Sequence, residues 1–245
     1  MMALGFVAGM WTASRRCVRD GLAPEKIADL GLWILPGAII GARALYVVTF
    51  WREQFAGKPI GEIFSVWHGG VVYYGGFTGG ALAAILYIRL KKLPLWKVAD
   101  AVAPSIALGS AFGRLGCLLN GCCYGRACSL PWAISFPEGH ETHPLGSPAV
   151  PVHPTEIYDA LLNLGLYLGL AWLYRRKKFD GQVFGAYLVA YALCRSFVEI
   201  FRGDYPQYQH YLGGWATPAQ MVSIGILACG LLLLALLPRP VLKQG

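Results

Sequence analysis

Charged side chains interrupt stretches of this sequence that are otherwise apolar. Arg43, Arg114, Arg195 and Glu199 lie within such stretches, and Arg202 directly follows one. A central arginine costs at least about 2.5–3.5 kcal/mol on membrane-insertion scales, and charged residues inside membrane helices commonly mark functional sites. A planar guanidinium group binds two oxygens of a phosphate at once. Several arginines at one depth therefore indicate a site for phosphate, and a phospholipid headgroup is the phosphate available there.

A structural role for these charges is the alternative. Arg195 and Glu199 are one helical turn apart and can pair along the same face of a helix. Arginines can also extend their long side chains toward the membrane surface. The residue types alone leave both interpretations open for any single arginine.

Cysteines crowd the residues that follow Arg114. The stretch 113–125 reads GRLGCLLNGCCYG, and the whole chain contains 7 cysteines, so at least one is unpaired within the chain. The cysteines near this stretch and the histidines that follow them are Cys117, Cys122, Cys123, Cys128, His140, His143 and His153. The thiols can pack freely, form a disulfide or hold a metal. Adjacent Cys122 and Cys123 rarely bridge each other without strain.

The composition defines the environment in which these residues act. Of 245 residues, 56% are hydrophobic and 14% are charged, against about 25% charged in soluble domains. The net charge of +8 is typical of a membrane protein with basic cytoplasmic loops. No stretch alternates basic and aromatic residues in the manner of a nucleic-acid surface, so we expect no nucleic-acid partner.

Seven apolar segments follow one another along the chain. They are Met1–Ser14, Leu30–Trp51, Gly69–Leu90, Ala99–Asn120, Ile157–Tyr174, Gln182–Phe201 and Ala216–Leu237. Six have close to the roughly 17–25 residues that a membrane helix needs. The first is shorter, so it is either only partly in the membrane or preceded by further residues. We therefore expect an all-α, polytopic membrane protein with about seven transmembrane helices in a single domain, residues 1–245.

The distribution of lysine and arginine predicts the orientation. The linkers after segments one, three and five and the C-terminal tail contain Arg15, Arg16, Arg19, Lys26, Lys91, Lys92, Lys97, Arg175, Arg176, Lys177, Lys178, Arg239 and Lys243. The opposite linkers contain only Arg52, Lys58, Arg126 and Arg202. The positive-inside rule then places the N-terminus in the periplasm and the C-terminus in the cytoplasm.

This orientation predicts that the polar residues share one depth. The arginines lie in the outer halves of their segments. His68, Tyr74, His153 and Glu156 lie where two further segments begin on the outer side. The long proline-rich connection 121–156 also lies outside, and we expect it to form an irregular periplasmic cap with a functional role.

Four ordered elements of the sequence resemble the prolipoprotein diacylglyceryl transferase family of membrane enzymes. The family motif G-R-x-G-N-F-x-N-G-E, with a glycine three residues on, is similar to the stretch 113–125. The matching positions are Gly113, Arg114, Gly116, Asn120, Gly121 and Gly125. Three further family elements, HP[ST]QLYE, V-E-[FI]-[FW]-R and G-[AG]-R, resemble His153–Asp159, Val198–Arg202 and Gly41–Arg43.

The chain also departs from the family pattern. Cys117 and Cys122 replace an asparagine and a glutamate of the motif, and Tyr74 replaces a histidine before paired glycines. Glu156 and Asp159 replace the glutamine and the last glutamate of the HPxQ element, and a tyrosine of the first helix has no counterpart. The phosphate-binding arginines are kept, whereas residues that handle protons are changed.

The resemblance implies transfer of the diacylglyceryl group of phosphatidylglycerol to the lipobox cysteine thiol of a prolipoprotein signal peptide. A thioether forms and glycerol phosphate leaves. Because the lipid itself carries the bond that breaks, no metal or nucleotide cofactor is implied. The implied location is the bacterial inner membrane, among membrane lipids, with the active site facing the periplasmic leaflet.

The resemblance also assigns roles to individual residues. Arg114 and Arg202 are expected to bind the phosphate, and His153 is the candidate general base in place of the family's histidine, with His68 as a weaker one. Tyr74 is expected to help position the headgroup. The remaining substrate-binding candidates are Arg43, Asn120, Gly121, Gly125, Glu156 and Glu199. A histidine before a proline at a helix start can instead simply bond backbone groups.

Other functions remain open from the sequence. A relative acting on another lipid or acceptor would keep the arginines. A non-catalytic relative would keep the fold and bind lipids or lipoproteins. A transporter for lipids or small anions would place arginines beside broken membrane helices, but it would also need polar residues in the inner halves of the segments, where there are few.

Overall fold

The computed structural model describes residues 1–59, 61–65, 67, 69–203 and 217–237. Its helices are α1 (Met2–Cys17), α2 (Pro24–Thr49), α3 (Gly61–Phe64), α4 (Tyr73–Leu90), α5 (Leu95–Asn120), α6 (Thr155–Tyr174), α7 (Gln182–Glu199) and α8 (Pro218–Leu236). A short 3₁₀ turn at Val18–Asp20 and a π-helical turn at Trp51–Phe55 lie in linkers. Within these described ranges, β pairing is limited to isolated bridges, and a long helix occupies each predicted apolar segment.

Four of the described helices, α2, α5, α6 and α8, are long and apolar enough to cross a membrane. Large apolar side chains such as Leu32, Ile40 and Leu232 are exposed on them, as expected for surfaces in contact with lipid. The prediction of an all-helical membrane protein is confirmed in this coarse form. The predictions of seven spans, of their orientation and of a periplasmic cap stay predictions, as does the single domain over residues 1–245.

The chain forms two compact units, residues 14–98 and residues 1–13 with 99–245, here called the small unit and the main unit. In the small unit, α2 and α4 approach closely because glycines face each other across the contact. A Cβ atom on Gly41 would lie 2.7 Å from the Cα atom of Gly79. Small residues allow this close packing where hydrocarbon provides no hydrophobic driving force.

Glycine also allows close helix packing at two contacts in the main unit. A Cβ atom on Gly5 of α1 would lie 2.7 Å from Cβ of Phe112 on α5, and Thr12 hydrogen bonds Ser105 over 2.9 Å between the same helices. Between α7 and α8, a Cβ atom on Gly230 would lie 3.0 Å from the backbone nitrogen of Val189. These contacts fix the helices that carry the site residues described below.

A buried aspartate on α5 caps the start of α7. Asp100 has no exposed surface and accepts hydrogen bonds from the backbone N–H groups of Gly181 (2.9 Å) and Phe184 (3.0 Å). It also accepts one from Nζ of Lys177 over 3.2 Å. The first N–H groups of a helix have no partner within the helix, so this carboxylate satisfies them.

The connection between α5 and α6 is irregular but packed. Tyr124, Phe136 and Val152 form a small buried cluster, against which Ile134 packs. The ring of His140 stacks on Phe136 at a centroid distance of 4.2 Å. The residues that follow α5 therefore form a compact segment with its own apolar centre.

Candidate active site

The end of α5 is a glycine-dependent turn that orients the motif. Gly121 has a φ of +70° and donates its N–H to the carbonyl of Leu118, while the N–H of Cys122 bonds the carbonyl of Cys117. This pair of hydrogen bonds is the Schellman arrangement, in which the residue after the helix adopts a left-handed conformation. Nε2 of His140 also lies 2.7 Å from the carbonyl oxygen of Gly121. Gly121 therefore has a structural role at the helix end, and Asn120 is exposed beside it.

Arg114 on α5 is paired with Asp159 on α6. The Nε atom lies 2.7 Å from Oδ2 of Asp159, whose side chain is 4% exposed against 22% for Arg114. The other carboxylate oxygen accepts a hydrogen bond of 2.7 Å from Nδ2 of Asn163. Among the described residues, Asp159 forms an ion pair with this guanidinium group, and the contact is on the Nε side. The terminal N–H groups thus have donor capacity for a ligand.

Glu199 on α7 connects two arginines and a second helix. Its Oε2 atom lies 2.6 Å from Nη1 of Arg195 and 3.8 Å from Nη1 of Arg202. Its Oε1 atom accepts a hydrogen bond of 2.8 Å from the hydroxyl of Thr217, the N-cap of α8. The glutamate side chain is fully buried. The structural pairing of Arg195 with Glu199 is thus observed, while Arg202 is more distant from the carboxylate.

Three backbone segments meet beside these arginines. The N–H of Gly125 bonds the carbonyl of His153 (2.9 Å), and the N–H of Arg126 bonds the carbonyl of Phe201 (2.8 Å). Gly125 also forms a bridge with Arg202. A Cβ atom on Gly125 would lie 2.5 Å from Cβ of His153 and 2.8 Å from the carbonyl oxygen of Phe201, so only glycine fits. Gly125 therefore brings His153 and Arg202 to the end of α5.

This junction places two cationic groups in range of each other. Arg114 and Arg202 are close enough for their charges to interact. Nearby, the hydroxyl of Thr155 donates a hydrogen bond of 2.7 Å to the carbonyl of Cys123, and Glu156 in the first turn of α6 is buried. The main unit therefore gathers the motif arginines and carboxylates, although they come from three stretches far apart in sequence.

His153 is oriented by a pair of aromatic residues. Its Nδ1 atom lies 3.3 Å from the hydroxyl oxygen of Tyr158, which accepts a hydrogen bond of 2.7 Å from Nε1 of Trp132. The Tyr158 proton can then be donated to Nδ1, which leaves the proton of the neutral imidazole on Nε2; this tautomer is inferred from the network. The ring also contacts Phe201 at a centroid distance of 5.4 Å. In this arrangement His153 is a better hydrogen-bond donor than acceptor, and its role as a base stays a prediction.

Arg43 lies in the small unit and is bonded to backbone. Its guanidinium group donates to the carbonyls of Glu62 (2.6 Å), Ile63 (2.8 Å), Gly69 (2.8 Å) and Gly70 (3.0 Å). The side chain is only 8% exposed. These contacts favour a positioning role for Arg43, in which it fixes the linker between α2 and α4.

Tyr74 lies in the first turn of α4 in the small unit. It is 52% exposed, and its ring contacts that of Tyr73 edge-on at a centroid distance of 5.8 Å. The weaker base candidate, His68, lies outside the described residues. The role of Tyr74 with the headgroup stays a prediction.

Two residues of this site are absent from the candidates that the sequence indicates. In the sequence Asp159 stands out only as a departure from the family pattern, whereas in the structure its carboxylate forms an ion pair with Arg114. Thr217 belongs to none of the sequence motifs. Its hydrogen bond to Glu199 depends on the packing of α7 against α8, which the sequence does not show. A Cβ atom on the motif residue Gly113 would meet no described atom within 4 Å, so helix packing among the described residues does not require glycine there.

The described residues define an all-helical membrane protein whose main unit brings Arg114, Glu199 and Arg202 into one region. The chain belongs to the prolipoprotein diacylglyceryl transferase family, whose sequence profile matches residues 1–236.

Three relatives illustrate the similarity, and all are named phosphatidylglycerol--prolipoprotein diacylglyceryl transferase. The protein of Synechococcus elongatus is 37% identical over 239 residues, covering 95% of this chain and 80% of the relative. That of Nitratidesulfovibrio vulgaris is 34% identical over 237 residues, covering 96% and 86%. That of Finegoldia magna is 33% identical over 245 residues, covering 100% and 92%. The apolar helices and these bacterial relatives indicate a bacterial membrane protein.

Proposed function

We propose that this protein transfers the diacylglyceryl group of phosphatidylglycerol to the lipobox cysteine thiol of prolipoproteins. The observation that carries the proposal is the geometry of Arg114, whose Nε side bonds Asp159 while its terminal N–H groups retain donor capacity beside Arg202. The names of relatives that match nearly the whole chain support the same reaction. They do not favour a transporter.

Arg114 and Arg202 would bind the phosphate of the lipid. The reaction breaks the bond between a glyceryl carbon and a phosphate oxygen, so negative charge grows on the leaving phosphate. Guanidinium donors that are already fixed stabilise this charge without reorganising during the reaction. Asp159 fixes Arg114, and Glu199 holds Arg202 in the same region.

The acceptor thiol would attack the glyceryl carbon as a thiolate. The new carbon–sulfur bond gives a thioether, and glycerol phosphate departs with the electron pair of the broken carbon–oxygen bond. His153, with its proton on Nε2, would donate a hydrogen bond to the phosphate; in the other neutral tautomer, with the proton on Nδ1, the lone pair of Nε2 would serve as the base and accept the thiol proton. Tyr74 would help position the headgroup.

The other candidate residues would act through geometry. Gly121 and Gly125 shape the backbone around Arg114, and Asn120 is exposed at the end of α5. Glu156 is buried in the first turn of α6. Arg43 would organise the linker that precedes Tyr74.

The same proposal includes a location. The reaction would take place in the inner membrane, with the site facing the periplasmic leaflet, the N-terminus outside and residues 121–156 forming a cap. The positive-inside distribution of lysine and arginine supports this orientation.

Complementation tests the function directly. Cells depleted of their own transferase would receive the wild type or Arg114→Ala, with Arg175→Ala as a matched control, because Arg175 is an exposed arginine just beyond the far end of α6. We expect the wild type and Arg175→Ala to restore the mobility shift of a model lipoprotein and Arg114→Ala to fail at equal expression. Normal rescue by Arg114→Ala would contradict the phosphate assignment, and failure of well-expressed wild type would contradict the function.

A further inference from the structure

The turn at the end of α5 brings three thiols together. In a Schellman arrangement the residue two positions after the helix end contacts the residue in its last turn. Here those residues are Cys122 and Cys117, and Sγ of Cys122 lies 3.7 Å from the carbonyl oxygen of Cys117. Cys123 follows with a φ of +71°, unusual for a residue with a side chain. The three sulfur atoms lie within 4.8 Å of one another.

These separations suit metal coordination better than a disulfide. With zinc–sulfur distances of about 2.3 Å, two ligands of a tetrahedral site lie about 3.8 Å apart. The observed limit of 4.8 Å is therefore within about 1 Å of a bound geometry. A disulfide would require about 2.05 Å between two sulfurs and would leave the third cysteine unexplained. None of the seven cysteines, all of which lie in the described residues, forms a disulfide.

The surroundings of the cluster fit an accessible metal site. All three cysteines are half-buried, so an ion can reach them. Arg114 lies in electrostatic range of Cys117 and Cys123, and its positive charge offsets part of the charge that three thiolates carry. Cys117 and Cys122 are also positions at which this chain departs from the motif that the stretch 113–125 resembles.

We propose that Cys117, Cys122 and Cys123 bind a thiophilic divalent cation of the zinc class and leave its fourth position open to the acceptor thiol. This inference rests on the proposed function. Zinc sites with three protein ligands keep a water or a substrate in the fourth position. Among the described residues the cluster supplies three ligand atoms.

A zinc-class ion at this site would activate the acceptor thiol. The incoming thiol displaces the bound water and releases its proton to solvent water, because a thiol coordinated to zinc is deprotonated outright. The bound sulfur then attacks the glyceryl carbon, and glycerol phosphate leaves with the electrons of the broken carbon–oxygen bond. This arrangement activates the thiol without a side chain acting as the base.

Cobalt(II) provides a direct test, because thiolate ligands give it intense charge-transfer bands. The full-length protein would be purified in detergent, reduced, checked for free thiols by thiol counting, and titrated with Co²⁺ without oxygen. We expect saturation at one equivalent and displacement by Zn²⁺. Absence of the bands in fully reduced protein, or a disulfide that resists reduction, would overturn the site.

Cysteine variants identify the ligands. Cys117→Ser and Cys122→Ser should weaken Co²⁺ binding by more than the roughly 10–100-fold typical of losing an outer-shell partner. Cys128→Ser is the matched control, because Cys128 lies in the same connection but outside the three-thiol group. Unchanged binding in Cys117→Ser and Cys122→Ser would contradict the assignment. Helix content measured by circular dichroism verifies that each variant is folded.

The open position is tested with the cobalt-loaded protein and two peptides. A lipobox-type peptide with a single cysteine should increase the charge-transfer intensity, and its serine counterpart should not. Equal responses would overturn the role in thiol binding. A transfer assay separates the two proposals: full activity after chelation would keep the transferase function and reject this inference. A cysteine-specific response without lipid transfer would keep the thiol site and reject the transferase function.

Discussion

Arg114 and Asp159 are joined by a 2.7 Å contact between Nε and Oδ2, which links α5 to α6 at the centre of the family motif. Asn163 bonds the second oxygen of the same carboxylate. The aspartate is nearly buried, whereas the arginine is more exposed. The pair therefore orients the guanidinium group and does not merely neutralise it.

Asp159→Asn should impair catalysis more than folding. Loss of the charged partner frees the Arg114 guanidinium to move, and a displacement of about 1 Å can reduce a rate about 10²-fold. We expect such a decrease in kcat/KM for transfer to a lipobox peptide. Asp180→Asn is the control, because Asp180 is an exposed aspartate that pairs with Lys177 beyond the opposite end of α6. Wild-type activity in Asp159→Asn would refute the orienting role.

Thr217 should stabilise the protein through Glu199. Thr217→Val removes a hydrogen bond to a buried carboxylate together with the N-cap bond that the hydroxyl accepts from the N–H of Gln220, and hydrogen bonds to charged groups alone contribute about 1.5–3 kcal/mol. We expect a loss of that size in the free energy of unfolding, measured by denaturant titration in detergent. Thr217→Ser keeps the hydroxyl and should remain close to wild type. Equal stability of the valine and serine variants would show that the bond contributes nothing.

Two motif glycines should respond differently to the same substitution. Gly125→Ala places a methyl group 2.5 Å from Cβ of His153, and overpacking typically costs about 1–3 kcal/mol. We expect lower thermal stability and little transfer activity. Gly113→Ala has open space around its new methyl group and should keep both properties. A lower stability and activity in Gly113→Ala than in Gly125→Ala would contradict the packing described around Gly125.

Asp100 should matter for folding and not for chemistry. Asp100→Ala leaves Lys177 and two backbone N–H groups without their buried carboxylate, and breaking a buried ion pair costs about 3–5 kcal/mol. Asp100 and Arg114 are separated by about 21 Å along α5, given a rise of about 1.5 Å per residue.

The measurement for Asp100 combines the unfolding midpoint with activity per folded molecule. We expect a lower midpoint and unchanged activity of the folded fraction. Asp180→Ala, which removes an exposed partner of the same lysine, should cost only about 0–1 kcal/mol. Loss of activity in folded Asp100→Ala would show that this cap affects the site.

The sequence predicts the helices well, because the lengths of the apolar stretches and the polar residues between them determine where each helix begins and ends. It predicts the end of α5 at Asn120 and the gathering of Arg114, Glu199 and Arg202 in one region. Both predictions depend only on how far along an apolar stretch each residue lies, and the sequence shows that position directly.

The partner of each charged group is harder to predict. Sequence shows that Arg43 is near one end of a helix, but only tertiary structure shows four backbone carbonyls around its guanidinium group. Asp100 is a similar case, because its partners at the start of α7 are distant in sequence. The approach of the three thiols also depends on the left-handed turn at Gly121, which residue spacing alone does not specify.

The two ends of the connection between α5 and α6 are hydrogen bonded to each other. The carbonyl of Arg126 accepts the N–H of His153, and the N–H of Cys128 bonds the carbonyl of Pro151, so the chain leaves and returns at one point. Leu145 is 81% exposed and lies in a turn in which the N–H of Ser147 bonds the carbonyl of Pro144. Because the cost of closing a loop grows only slowly with its length, a fluorescent reporter or affinity tag can be inserted at this turn without displacing His153.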